Sequence, residues 1–208
     1  MDIGEAFDEV VRIATTAENV NTGMTALLDY SETTYPSPIW AALRSVDYRQ
    51  DAAGVTAWLR QVLESEPPSA DIKAYWFGIY NPVVDDEESR GLYVTGSTSP
   101  YSAEDADWAC WQDDSYIPEN RYAPSPALHK IFQAISQDDN LIPFAEFTLI
   151  LGYSALAVTE AIRSALPALF FGQSTTSTGT RQVGLGFDDG DYLFLGTITA
   201  SGFERPKT

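Results

Sequence analysis

The chain has 208 residues, and its 30 acidic side chains outnumber 12 basic ones, giving a formal net charge of −18. That balance excludes a protein built to grip nucleic acid, where clustered Lys and Arg must answer the phosphates. It also argues against docking on an anionic membrane leaflet. With 44% hydrophobic and 12% aromatic residues, the composition is that of a folded protein and not of a disordered acidic tail.

The N-terminus, Met1-Asp2-Ile3-Gly4-Glu5, has neither the basic nor the apolar region of a secretory signal. A single cysteine, Cys110, allows no disulfide within the chain, which suits a reducing cytoplasm. Residues 5 to 18 read as a helix: Phe7, Val10, Val11 and Ala14 recur at helical spacing, and Glu5, Asp8 and Glu9 occupy the first turns. Ser37-Pro38 predicts the start of a short helix through Trp40, Leu43 and Val46. Asp51 is the expected cap of the next, with Val55, Trp58, Leu59, Val62 and Leu63 on one face and Pro67-Pro68 as its stop. The first 70 residues thus form a helical N-terminal region.

The pattern then changes. Ile72 to Asn81 is aromatic and β-branched, nearly apolar on both faces, and reads as a strand. Gly91 to Ser97 is its expected hairpin partner across the acidic connection Asp85-Asp86-Glu87-Glu88. Residues 98 to 124 lack periodicity but hold Trp108, Trp111, Tyr101, Tyr116 and Tyr122, and read as an aromatic-pinned loop. Ser125-Pro126 opens a helix carrying Leu128, Ile131, Phe132 and Ile135, ended by Asp138-Asp139-Asn140. Leu141 to Leu166 is mainly helical, with an expected break near Gly152. Its apolar run from Phe147 to Thr159 is short of the roughly 20 residues a membrane span needs, so a buried helix is expected. Ser174 to Thr180 is a polar connector. Gln182 to Phe187 and Tyr192 to Ile198, split by Asp188-Asp189-Gly190-Asp191, form a second hairpin. The predicted fold is α+β in one domain over residues 1–208: a mostly antiparallel sheet built from hairpins, covered by helices, with an α+β body from about residue 71.

No reaction is announced. A Ser or Cys triad needs a histidine base, and the only one, His129, has no nucleophile-elbow motif with it. Cys110, between Trp108 and Trp111, has no nearby base in sequence to lower its pKa. One His and one Cys make a poor zinc set, and neither Glu104-Asp105-Ala106-Asp107 nor Asp188-Asp189-Gly190-Asp191 matches an EF-hand loop. No phosphate-cradling glycine loop is present. The expectation is a non-enzymatic protein without metal or cofactor. The alternative is a carboxylate-based, glycosidase-like hydrolase with aromatic subsites, and a third reading is a calcium-stabilised acidic domain.

The charge is unevenly placed. Residues 85–119 hold ten acids, Asp85, Asp86, Glu87, Glu88, Glu104, Asp105, Asp107, Asp113, Asp114 and Glu119, against one base, Arg90. Half the net charge of the chain therefore falls in this window, interleaved with Tyr93, Tyr101, Trp108, Trp111 and Tyr116. Charge steers encounter and aromatic area anchors it, so the window reads as a surface for a basic partner. The expected contacts are Asp85, Asp86, Glu87, Glu88, Tyr101, Glu104, Asp105, Asp107, Trp111, Asp113, Asp114 and Tyr116.

The runs Leu92-Tyr93-Val94-Thr95-Gly96-Ser97, Asp107-Trp108-Ala109-Cys110 and Tyr116-Ile117-Pro118-Glu119-Asn120-Arg121-Tyr122-Ala123, with Val183 to Asp191 and Gly202-Phe203 at the close, resemble a group of small acidic bacterial proteins. The likeness spans about residues 72–203. That group looks like the immunity partners of polymorphic or contact-delivered toxins. The resemblance implies a cytoplasmic protein that plugs the active site of a basic toxin domain. It carries no catalytic residues over to this chain.

Overall fold

A computed structural model describes residues 3–84, 86–102, 116–172, 179–188 and 190–206. The architecture is α+β, a helical layer against one face of a mixed sheet. Four helices come first: α1 (Ile3–Thr16), α2 (Val20–Thr34), α3 (Ile39–Leu43) and α4 (Tyr48–Ser65). In α1, Val10 and Ala14 are buried while Phe7 and Val11 pack at the core's edge. The pattern gave no notice of α2. Its start is fixed by a reciprocal cap: the Asn19 side chain accepts from Thr22 N–H, and the Thr22 hydroxyl lies 3.2 Å from Asn19 N.

Two expected helix starts move. In α3, Pro38 stands at the cap position with no side-chain bond, and Val46 lies beyond the helix end. In α4 the cap is Asp47, which accepts from Gln50 N–H at 3.0 Å. Asp51 falls inside the first turn and faces another element instead.

The first hairpin forms as expected. Strand β1 (Ala74–Tyr80) pairs antiparallel with β4 (Gly91–Ser97), placing Trp76 opposite Thr95 and Gly78 opposite Tyr93. Their acidic connection carries a two-stranded ribbon, β2 (Val83–Val84) and β3 (Glu87–Glu88). Asp86 at its turn takes a left-handed φ of 65°, a conformation Asp tolerates better than most residues. Strand β5 (Tyr122–Ala123) extends the sheet beside β4. The second hairpin pairs β6 (Arg181–Phe187) with β7 (Tyr192–Thr199), and β8 (Gly202–Glu204) follows. The strand order is β5-β4-β1-β6-β7-β8. Only the central β1–β6 junction is parallel, and it joins the two hairpins into one sheet.

Between the hairpins lie α5 (Pro126–Ile135), capped by Ser125, and a helical run made of α6 (Ile142–Ala145), a π turn (Glu146–Leu151) and α7 (Gly152–Ser164). The run does not break at Gly152. The irregularity is the π turn just before it. Gly152 serves close packing: a Cβ there would lie 2.6 Å from Leu27 on α2, and one at Gly23 would lie 2.5 Å from Leu156 on α7. The two helices press glycine against leucine in both directions. The run 142–164 is long and apolar enough to cross a membrane by composition, yet 78% of its most apolar window is buried inside the protein. It packs against α1, α2 and α4 as a core helix. A short 3₁₀ helix, Pro167–Phe171, follows it.

Both faces of β1 are buried, which explains why its sequence is apolar throughout. Tyr75, Phe77 and Ile79 join the main core under the helices. Ala74 and Trp76 belong to a separate cluster on the opposite face, with Tyr93, Tyr101 and Tyr192 packed against them.

Candidate functional site

The face of the sheet away from the helices carries a layer of aromatic side chains. Tyr80, Tyr93 and Tyr122 form a mutual cluster with ring centroids 4.9–6.1 Å apart. Tyr101 meets Tyr192 at 5.9 Å and Phe194 at 4.8 Å, and Trp76 meets Tyr192 at 6.2 Å. The rings lie low because glycine stands beneath them. A Cβ on Gly78 would fall 2.2 Å from the Tyr93 ring, and one on Gly91 would fall 2.5 Å from Tyr80. The strand register places Gly78 opposite Tyr93 and Gly91 opposite Tyr80, so aromatic and glycine alternate across the hairpin. The result is a low aromatic layer in place of the polar face that a solvated sheet presents.

Carboxylates edge this layer. The Tyr93 hydroxyl donates to Asp188 at 2.6 Å and also accepts from the Trp76 indole N–H at 3.2 Å. Asp191, Asp86 and Glu88 are exposed near the same end of the strands, and Glu87 lies in β3. Tyr122 is 47% exposed, and the Arg121 guanidinium stacks over its ring at 4.7 Å. Burial, with Tyr192 nearby, pushes the Tyr101 hydroxyl up to about 12, so it stays neutral at physiological pH.

The predicted contacts divide three ways. Asp86 and Glu88 are exposed, Glu87 stands between them in β3, and Tyr101 is half-buried in the aromatic layer. Tyr116 packs instead against the main core: its ring meets Tyr75 edge-on, and its hydroxyl donates to the Glu66 carbonyl at 2.6 Å. Asp85, Glu104, Asp105, Asp107, Trp111, Asp113 and Asp114 lie outside the described residues, as does Cys110. Tyr80, Tyr122, Tyr192, Phe194 and Asp188 were not among the expected contacts. Their signal was present as aromatics at alternate strand positions facing glycines in the partner strand, but it needs the register before it can be read.

A hollow of about 410 Å³ opens where the parallel strands β1 and β6 end. Tyr80, Phe187, Asp188 and Asp191 line it together with Arg90 and Glu146. Arg90 is committed there: its Nε donates to Glu146 at 2.8 Å, and its guanidinium stacks on Phe132 at 3.8 Å. Nearby, the Ser89 hydroxyl meets His129 Nδ1 at 2.9 Å. This has the spacing of a nucleophile and its base. Ser89 is only 1% exposed, however, and among the described residues no carboxylate orients the ring. The contact anchors the start of β4 to α5. Among the described residues no cluster of His, Cys, Asp or Glu is arranged to hold a metal ion.

The chain matches no family model, no characterised protein and no solved structure.

Proposed function

We propose that this chain is a cytoplasmic, non-enzymatic binding protein of the immunity type, neutralising a basic protein toxin through its acidic, aromatic face. The observation that carries the reading is the sheet face itself. It offers tyrosine rings held low over glycines, edged by Asp86, Glu88, Asp188 and Asp191. Tyrosine and tryptophan supply large anchoring area at low entropic cost. Exposed acids around them accelerate encounter with a positive surface. Asp85, Glu87, Glu104, Asp105, Asp107, Trp111, Asp113 and Asp114 would add to this surface by their place in the chain. The partner class is a toxin domain whose active site is basic, as sites acting on phosphates are.

The test uses the C-terminal domain of any secreted protein found encoded beside this chain, and a neighbourhood with none counts against the reading. Titration calorimetry is run from about 50 mM to about 500 mM salt, a range that shortens the screening length severalfold. Binding that weakens steadily with salt, together with growth rescue on co-expression, is the expected result. Absence of binding, or binding indifferent to salt, overturns the electrostatic reading. The 410 Å³ hollow with its carboxylates and aromatic walls supports the second reading, a glycosidase-like hydrolase. Turnover of a glycoside that is lost in both Asp188→Asn and Asp191→Asn would favour it instead.

A further inference from the structure

On the helical side lies a cavity of about 570 Å³, away from the aromatic face. It is bounded by the starts of α2 and α4, the end of α7 and the segment after β8. Arg49, Arg163 and Arg205 all line it. The whole chain has only 12 basic residues among 30 acids, so three in one hollow is a marked local reversal of charge.

Arg12, Arg44, Arg60 and Arg90 each have a carboxylate partner. Among the described residues, five arginines have none: Arg121 and Arg181 are spent on backbone carbonyls and aromatic rings, and Arg49, Arg163 and Arg205 are the other three. Arg205 donates to the Thr15 carbonyl at 2.8 Å, and its covered Nε finds no acceptor. Arg163 makes only a 3.4 Å bond to the Glu18 carbonyl. Arg49 is exposed and lies in the first turn of α4, where the helix dipole disfavours a cation. Burial lowers the Arg205 pKa, and the nearby charge of Arg163 adds to the effect. The two acids that line the hollow offset two of the three charges and leave it net positive. Glu160 accepts from Val20 N–H at 3.1 Å and so caps α2, and the Glu18 side chain is exposed with no hydrogen bond among the described residues.

Three guanidiniums against two carboxylates make the hollow a setting that favours an anion. Guanidinium forks match the oxygens of phosphate and carboxylate groups. A carboxylate has two oxygens for three guanidiniums. A phosphate monoester offers three and carries close to two negative charges at neutral pH. We propose that this cavity binds a phosphate monoester group through Arg49, Arg163 and Arg205. The group could be carried by a small molecule or by a phosphorylated protein side chain. The site shares no residue with the aromatic face, so it can fail without touching the toxin-binding reading, and the reverse.

The test is calorimetric titration of the full chain with inorganic phosphate, glycerol phosphate and a phosphoserine peptide, at constant ionic strength set with sodium chloride. Arg49→Gln/Arg163→Gln is the comparison, because both side chains are exposed and their one described hydrogen bond is the long 3.4 Å contact of Arg163 with the Glu18 carbonyl. Saturable binding at or below about 1 mM, weakened about tenfold or more in the variant, is expected, with the ligand-free melting temperature unchanged. Tighter binding of the peptide than of glycerol phosphate assigns the source to a protein, and the opposite order to a small molecule. No saturable heat with any of the three overturns the proposal. So does binding that survives in the variant, or a melting rise that chloride alone reproduces. Should the double variant melt early, Arg49→Gln alone gives the same comparison.

Discussion

Asp51 is the residue whose role changes most between sequence and structure. Its two oxygens accept from the Ser125 hydroxyl at 2.7 Å, from Ala127 N–H at 2.9 Å and from the Tyr153 hydroxyl. One carboxylate on α4 thus holds the start of α5 and a tyrosine of α7 that is 1% exposed. Removing it strands buried donors, which costs more than the bonds are worth in water. Asp51→Ala should lose about 2–4 kcal/mol in chemical denaturation, and a loss below about 1 kcal/mol would show that water replaces the carboxylate. Glu66 works similarly at the surface. The backbone N–H of Glu119 holds its carboxyl below the ordinary value, helped by Asn120, against a smaller opposing effect of desolvation. A lowered folded pKa means the contribution is present above the unfolded value and fades as pH falls through the folded one. The turn at residues 118–120 should therefore loosen below about pH 4. Faster amide exchange at Glu119 and Asn120 would report this, and in Glu66→Gln that step should disappear.

Among the elements, the glycines separate propensity from packing. Gly54 is exposed in the interior of α4, and a Cβ there meets nothing within 4 Å. Gly54→Ala should stabilise by about 1 kcal/mol, since only helix propensity changes. Gly152→Ala pushes against the buried Leu27 and should destabilise by about 1–3 kcal/mol, because the packed α2–α7 crossing must open. Melting curves of the two variants moving in opposite directions would check both. The same contrast shows what the chain makes legible. The hairpins 74–97 and 181–199 were readable because strand alternation and turn residues are local signals. Ser125-Pro126 was readable as a cap for the same reason. The choice of Asp47 over Asp51 was not, because two acids four residues apart are equivalent until α5 is placed beside one of them. Helix α2 hid because polar Asn21, Thr22, Thr25 and Asp29 interrupt its buried Val20, Met24, Leu27 and Leu28. The parallel β1–β6 contact is long-range, and no local pattern encodes it. Of the predicted surface, the acids of the 85–88 connection were visible as charge. The aromatic layer was visible only as residues, and its assembly depends on Gly78 standing opposite Tyr93.

For the whole molecule, the charge of −18 is unevenly distributed. The helical side holds a hollow with three arginines, while the sheet side carries acids at its edge. Bulk repulsion from so many acids opposes compaction, so reversing exposed acids should not harm folding. Glu88→Lys/Asp191→Lys tests this, because both side chains are exposed, neither has a left-handed backbone, and each reversal moves the net charge by two units towards zero. Its stability should stay within about 0.5 kcal/mol of the parent. Its effect on a basic partner should be kinetic. Rim charges act during diffusional approach, so association should slow about three- to tenfold at low salt and the salt dependence should flatten. Dissociation should barely change, because it is governed by the buried anchors. Tyr122→Ala should do the reverse, since it deletes a half-exposed ring of the layer and leaves the field intact. Dissociation should then rise severalfold with association unchanged. Surface plasmon resonance on both variants separates the two effects. If the lysine variant altered only dissociation, the acids would be contacts inside the interface and long-range steering would have to be abandoned.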